Sequence, residues 1–87
     1  MEIVISETAL KHIEYWKKVN NVKIQKRIID LKNAIIDNPY KGIGNPEPLK
    51  HKLSGKWSRR INNEHRFIYS IDEEKNILNI YSLKGHY

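Results

Sequence analysis

The order of apolar and polar positions divides this 87-residue chain into a helical first half and a strand-like second half. Glu2-Ile3-Val4-Ile5 is a short β-rich run. Ser6 directly after it suits a helix N-cap, with Glu7 in the first turn where a negative charge meets the positive end of the helix dipole. Leu10, Ile13, Trp16 and Val19 then recur every third residue among Lys11, His12, Glu14, Lys17 and Lys18, which predicts an amphipathic helix with those four residues inward and His12 on its surface. Asn20-Asn21 breaks the pattern. Ile24, Ile28, Leu31 and Ile35 step by four, three and four, with Ile29 and Ile36 expected to widen the buried stripe. Asp37-Asn38-Pro39 ends this second helix, because proline disfavours helical geometry in the residue before it. Two helices joined by two residues form an antiparallel hairpin that needs a surface to cover.

That surface is predicted from the second half. Residues 40–56 hold three of the four glycines and two of the three prolines and read as an ordered, irregular loop. Residues 57–61, 65–71 and 77–83 read as three strands, with turns at Asn62-Asn63-Glu64 and around Glu73-Glu74-Lys75. If both turns are three-residue loops, Arg60 pairs with Arg66, Trp57 with Tyr69 and Arg66 with Ser82. The odd positions Trp57, Ile61, Phe67, Tyr69, Ile71, Ile77, Tyr81 and Leu83 then form a core face against the hairpin. The even positions Ser58, Arg60, Arg66, Ser70, Ser82 and Lys84 face the other way, with His86 following the same parity. The fold class is therefore α+β: an N-terminal strand, a helical hairpin and a mainly antiparallel sheet packed on it, in one domain spanning 1–87. Two arginines opposite each other in a sheet repel, so their pairing makes sense around a bound anion.

Charge sharpens this picture. The formal net charge of +6 divides as +2 over residues 1–40, +5 over 41–66 and −1 over 67–87. A basic segment of this density is the footprint of a polyanion partner, because neutralised phosphates release counterions, or else a solvated, soluble face. The absence of cysteine excludes disulfides and thiolate metal sites, and the four histidines show no ligand-pair spacing. With no apolar run of membrane-spanning length and no signal-like N-terminus, a cytoplasmic location is expected.

The segment 45–66, NPEPLKHKLSGKWSRRINNEHR, sets Glu47 between two prolines amid Lys50, His51, Lys52, Lys56, Arg59, Arg60, His65 and Arg66. RNA is cleaved when a 2′-hydroxyl attacks the adjacent phosphorus, which requires a base for that hydroxyl, an acid for the leaving 5′-oxygen and cations for the developing charge. Glu47, His86 and the Arg60, Arg66 and Lys50 group match those roles. Against that stand plainer readings: Glu47 as a stiff, exposed loop charge, His86-Tyr87 as an idle chain end, and Arg59 as a solvated or RNA-contacting strand charge on the rim. His51 and His65 read as hydrogen-bonding or phosphate-side residues, and Trp16 and Trp57 as core.

Pro46-Glu47-Pro48-Leu49-Lys50-His51, Leu53-Ser54-Gly55, Trp57-Ser58-Arg59-Arg60-Ile61, Glu64-His65-Arg66, Tyr69 and the ending His86-Tyr87 resemble the YoeB group of the RelE/ParE toxin superfamily, with Tyr15-Trp16 in support. Leu10 and Ile13 depart from the larger aromatics often found in that first helix. The resemblance implies a microbial-ribonuclease-like fold and a metal-independent, cofactor-free endoribonuclease that cuts mRNA in the ribosomal A site. It implies Glu47 as general base, His86 as general acid, Arg66 as transition-state stabiliser and Tyr87 as a positioning residue, with Lys50, His51, Arg59, Arg60 and His65 toward the substrate. It also implies a cognate YefM-like antitoxin whose C-terminal segment covers the site, operator binding only through that complex, and a tendency to dimerise. The rival from another class is a non-catalytic RNA- or ribosome-binding module. A gyrase-directed ParE-type toxin of the same fold would not call for the Glu47, Arg66, His86, Tyr87 set.

Overall fold

The computed structural model describes residues 1–85. Its elements follow the order β1 (Glu2–Ile5), α1 (Glu7–Lys18), α2 (Val22–Asp37), β2 (Glu47–Pro48), a 3-10 turn (His51–Leu53), β3 (Trp57–Arg60), β4 (Arg66–Asp72) and β5 (Ile77–Ser82). The five strands form one sheet in the order β1-β5-β4-β3-β2. β2, β3, β4 and β5 are antiparallel neighbours, whereas β1 returns alongside β5 in parallel after the helical crossover. Both helices cover one face of the sheet. Ala9, Trp16, Ile24, Leu31 and Ile35 from the helices meet Ile61, Phe67, Tyr69, Leu78, Ile80 and Leu83 from the sheet side.

Local chemistry accounts for the boundaries. The Ser6 hydroxyl accepts from the Ala9 amide, and the Asn21 side chain accepts from the Ile24 amide, so each helix begins on a side-chain cap. Asn20 takes a positive φ of 54°, which lets the chain reverse between the helices. In the β3–β4 turn the Asn62 carboxamide oxygen accepts from the amides of Glu64 and His65.

Two packing expectations are corrected. Leu10 and Val19 lie exposed on α1, whose buried side is Ala9 and Trp16 with Ile13 packed against the core. Each step of three residues turns about 60° short of a full circle, so a run of three such steps spreads over roughly half the helix circumference and cannot share one face. Ile29 and Ile36 are likewise exposed: the stripe of α2 is Ile24, Leu31 and Ile35 with Ile28 at its margin.

The third correction concerns register. Trp57 pairs with Tyr69 and Arg60 with Arg66 as expected. On β5, however, Tyr69 faces Ile80 and Ile68 faces Ser82, leaving Tyr81 as an extra residue in a β-bulge. Leu78 and Ile80 therefore enter the core in place of Ile77 and Tyr81. Beyond the bulge the parity recovers, so Leu83 points inward.

Candidate active site on the open face of the sheet

The loop that delivers Glu47 is held from below by Arg59. This arginine is wholly buried, with 0% exposure, on the helix-covered side of β3. Its guanidinium donates to the backbone carbonyls of Ile43 (3.1 Å), Asn38 (2.6 Å) and Lys41 (3.0 Å) and to the Tyr69 hydroxyl (3.2 Å). The Tyr69 hydroxyl in turn donates to the Pro39 carbonyl. Burial pushes the Tyr69 phenol above its ordinary range, against the downward pull of Arg59, so it remains a donor. Asn38 caps the C-terminus of α2, where the helix dipole favours a cation. Arg59 is thus a structural brace for residues 38–43 and is shielded from solvent, which corrects its reading as a rim charge. A planar fork with five donors can collect carbonyls from several directions, which an ammonium group does less well.

The loop then approaches β3 closely. The Arg60 amide donates to the Gly44 carbonyl at 2.7 Å. A Cβ on Gly44 would lie 2.8 Å from Leu31 Cδ2 and 3.1 Å from Arg59 Cβ, and the residue holds a φ of +84°, so this position requires glycine on two counts. Asn45, also at positive φ, donates from Nδ2 to Glu47 Oε1 at 2.9 Å. β2 is only two residues long and lies at the sheet edge, where flanking prolines forgo amide donors without breaking a ladder.

Register places Glu47 on the face away from the helices. Glu47 pairs with Ser58, Ser58 with Ile68 and Ile68 with Ser82, so one row crosses four strands. Ser58, Ile68 and Ser82 are buried along this row, and the exposed Glu47 stands at its end. The next row holds Arg60 and Arg66. Their amides point away from each other, toward the carbonyls of Gly44 and Gly85, so this is the non-hydrogen-bonded type of pair, in which side chains stand closest. Arg60 is diagonal to Glu47, a separation of about 7–8 Å between such positions.

Among the described residues, ion pairs occur only within helices, at Lys11–Glu7 and Lys26–Asp30, so no carboxylate there forms an ion pair with Arg60 or Arg66. The Arg66 guanidinium donates instead to the carbonyls of Asn62 (2.8 Å) and His65 (3.1 Å). On the other flank Lys56 lies 4.2 Å from the centre of the Tyr81 ring, and the Tyr81 hydroxyl shares a hydrogen bond with Ser70 at 2.8 Å. The bulge turns Tyr81 from a predicted core residue into a wall of this face.

Of the predicted site residues, the structure therefore brings Glu47, Arg60 and Arg66 to one face, and Lys50 and His51 follow β2 in an exposed stretch. Arg59 and His65 belong elsewhere. His65 packs edge-on against Trp16 with ring centres 4.9 Å apart, on the helix side, and its Nδ1 accepts from the Gly85 amide at 2.8 Å. His86 and Tyr87 lie outside the described residues. His12, read as helix surface, accepts at Nδ1 from the Leu83 amide at 3.0 Å. The displaced Tyr81 had a signal in the sequence: the apolar spacing Leu78, Ile80, Leu83 changes from two to three, which is what an inserted bulge residue produces. Strand parity was the signal for Arg59: its odd position between Trp57 and Ile61 sends it to the helix-covered side and its neighbour Arg60 to the open face.

Comparison with known proteins gives a consistent result. Residues 5–87 match the family model described as a YoeB-like toxin of bacterial type II toxin-antitoxin system. The chain is 47% identical over 87 residues to Toxin YoeB of Synechocystis sp., covering all of this chain and 98% of that one. It is 39% identical over 87 residues to Toxin YoeB of Escherichia coli K12, covering both chains fully. Among solved structures, the YoeB/ParE toxin from Agrobacterium tumefaciens superposes over 100% of both chains with a TM-score of 0.94 at 33% identity. The Staphylococcus aureus YoeB dimer (TM-score 0.89, 41% identity) and YoeB–YefM complex (0.88, 42%) each cover all of this chain and 98% of theirs.

Proposed function

This chain belongs to the YoeB-like toxins of bacterial type II toxin-antitoxin systems, and from that membership we propose that it is a ribosome-dependent endoribonuclease that cuts mRNA in the A site and so inhibits translation. The observation that carries the reading is the placement of Glu47 on the same sheet face as the Arg60–Arg66 pair, with no intramolecular carboxylate on those cations among the described residues. Glu47, held by Asn45, takes the proton of the 2′-hydroxyl as that oxygen attacks the adjacent phosphorus. Arg66 and Arg60 stabilise the charge that accumulates on the phosphoryl oxygens. His86 protonates the departing 5′-oxygen, leaving a 2′,3′-cyclic phosphate, and Tyr87 positions the reacting nucleotide. Lys50 and His51 hold the flanking phosphates. The cations of the transition state are side chains in this scheme, so it calls for neither a metal nor a cofactor.

The same face is the natural target of inhibition. The excess of five positive charges over residues 41–66 suits the C-terminal segment of a YefM-like antitoxin, operator DNA being reached only through that complex. The Staphylococcus aureus relative, solved both with YefM and as a dimer, supports an antitoxin partner and a homodimer for this chain. Ribosome and mRNA as partners imply a cytoplasmic site of action. The protein alone should cut free RNA slowly and depend on the ribosome to orient the 2′-hydroxyl, the phosphate and the leaving oxygen.

The test is cleavage of mRNA on programmed ribosomes, with mapped ends, by wild type, Glu47→Ala and His86→Ala. Loss of about 10²-fold or more in each variant is expected. Equal cleavage by all three, or toxicity without cleavage, would replace this reading with that of a non-catalytic RNA- or ribosome-binding module.

A further inference from the structure

The end of β5 is held in an unusual way. Strand backbone groups are ordinarily taken by a neighbouring strand, but β1 stops at Ile5. From there α1 continues the edge with other groups. The Ser6 amide donates to the Ile80 carbonyl at 2.9 Å, and the Ser6 hydroxyl donates to the Tyr81 carbonyl at 2.9 Å. Farther along, His12 Nδ1 accepts from the Leu83 amide at 3.0 Å while Trp16 Nε1 donates to the Leu83 carbonyl at 2.9 Å. On the opposite edge His65 Nδ1 accepts from the Gly85 amide, and the Arg66 amide donates to the Gly85 carbonyl, both at 2.8 Å. Leu83 and Gly85 thus have both backbone groups engaged, on alternate sides as in a regular sheet, with two imidazoles standing where strand carbonyls would be. A backbone amide only donates, so each Nδ1 is bare and each ring neutral with its proton on Nε2.

We infer that His12 and His65 are positioning residues that fix Leu83 and Gly85, the residues leading to His86, and that the cleavage proposed above depends on them. The inference rests on that reading for its effect on activity. Its structural half, the imidazole clamp on the Leu83 and Gly85 amides, stands independently. Leu83 and Gly85 are each held by two directional hydrogen bonds, so the chain reaches the proposed acid from a fixed point, and a shift of about 1 Å at a reacting group is enough to lower a rate by about 10²-fold.

Asparagine discriminates between clamp and bulk, because its carboxamide oxygen occupies roughly the place of Nδ1 and accepts the same amide, whereas alanine offers nothing. Amide exchange of Leu83 and Gly85 is to be measured by NMR in His12→Ala, His12→Asn, His65→Ala and His65→Asn, each made in the Glu47→Ala background. The same four substitutions, with Glu47 intact, are then assayed for single-turnover mRNA cleavage at saturating ribosome. Trp16→Phe, which keeps the ring in the core and removes only the indole N–H, serves as the mild variant should an alanine change unfold the protein. Gly85 exchange accelerated by about tenfold or more in His65→Ala, with protection restored in His65→Asn, and a parallel fall and recovery of the cleavage rate at unchanged ribosome affinity, are the expected results. Unchanged Gly85 exchange in His65→Ala defeats the clamp whatever the activity. Wild-type cleavage rates in both alanine variants defeat the positioning role. A wild type that does not cleave defeats the proposed function, while the exchange result still decides the clamp.

Discussion

Two irregular segments meet the sheet at its opposite margins, and they are held by opposite chemistry. Residues 38–45, which lead to Glu47, present carbonyls that a buried, permanently charged guanidinium collects. Residues 83–85, which lead to His86, present amides that neutral imidazoles accept. A guanidinium keeps its proton throughout the accessible pH range, whereas an imidazole that gains one turns from acceptor to donor and repels the amide it held. The arm carrying the carboxylate is therefore insensitive to acid, and the arm leading to the C-terminal histidine is not.

The largest effect on this comparison is expected from Arg59→Met, which leaves the carbonyls of Asn38, Lys41 and Ile43 without their donor. Unsatisfied buried groups cost about 1–3 kcal/mol each, so a total loss of about 3 kcal/mol or more should appear in urea unfolding. Arg59→Lys should recover less than half of it; full recovery would show that charge alone holds the loop. Next comes Gly44→Ala, where a positive φ and the 2.8 Å approach to Leu31 together should cost about 1–3 kcal/mol and reduce cleavage by displacing Glu47.

The acid sensitivity is smaller and has a definite sign. Burial first, then the positive charge of Lys84, and that of His65 once its own ring takes up a proton, hold the His12 imidazole below its ordinary value of 6.5. The unfolded chain thus takes up a proton before the folded one does. The stability contributed by the neutral ring is fully present above pH 6.5 and is lost as the pH falls through the lower folded value. Urea midpoints measured across that interval should decline in wild type and decline less in His12→Asn; parallel slopes would remove His12 from the clamp. The smallest effect tests the arginine pair. Arg60→Ser should raise stability by about 0.2–1 kcal/mol in salt-free buffer by relieving like-charge repulsion, and added phosphate should abolish the difference. A variant less stable than wild type would mean the pair is not repulsive in the free protein.

Much of this architecture was legible in the residues themselves. The cap at Ser6, the helix break at Asn20-Asn21, the turn at Asn62 and the pairing of Arg60 with Arg66 all rest on local hydrogen bonding and on short-range periodicity, which the chain carries wherever it folds. The motif from Pro46 to Tyr69 likewise pointed to the family.

Parity turns Arg59 inward and Arg60 outward, and the tertiary structure alone decided how a charge could be buried there. The guanidinium of Arg59 is accommodated because α2 ends where its last carbonyl, the Pro39 turn and the Tyr69 hydroxyl surround it. It decided in the same way that His12 and His65 would stand in for strand partners. Each depends on where a distant segment runs out of backbone to offer, and local periodicity does not contain that information.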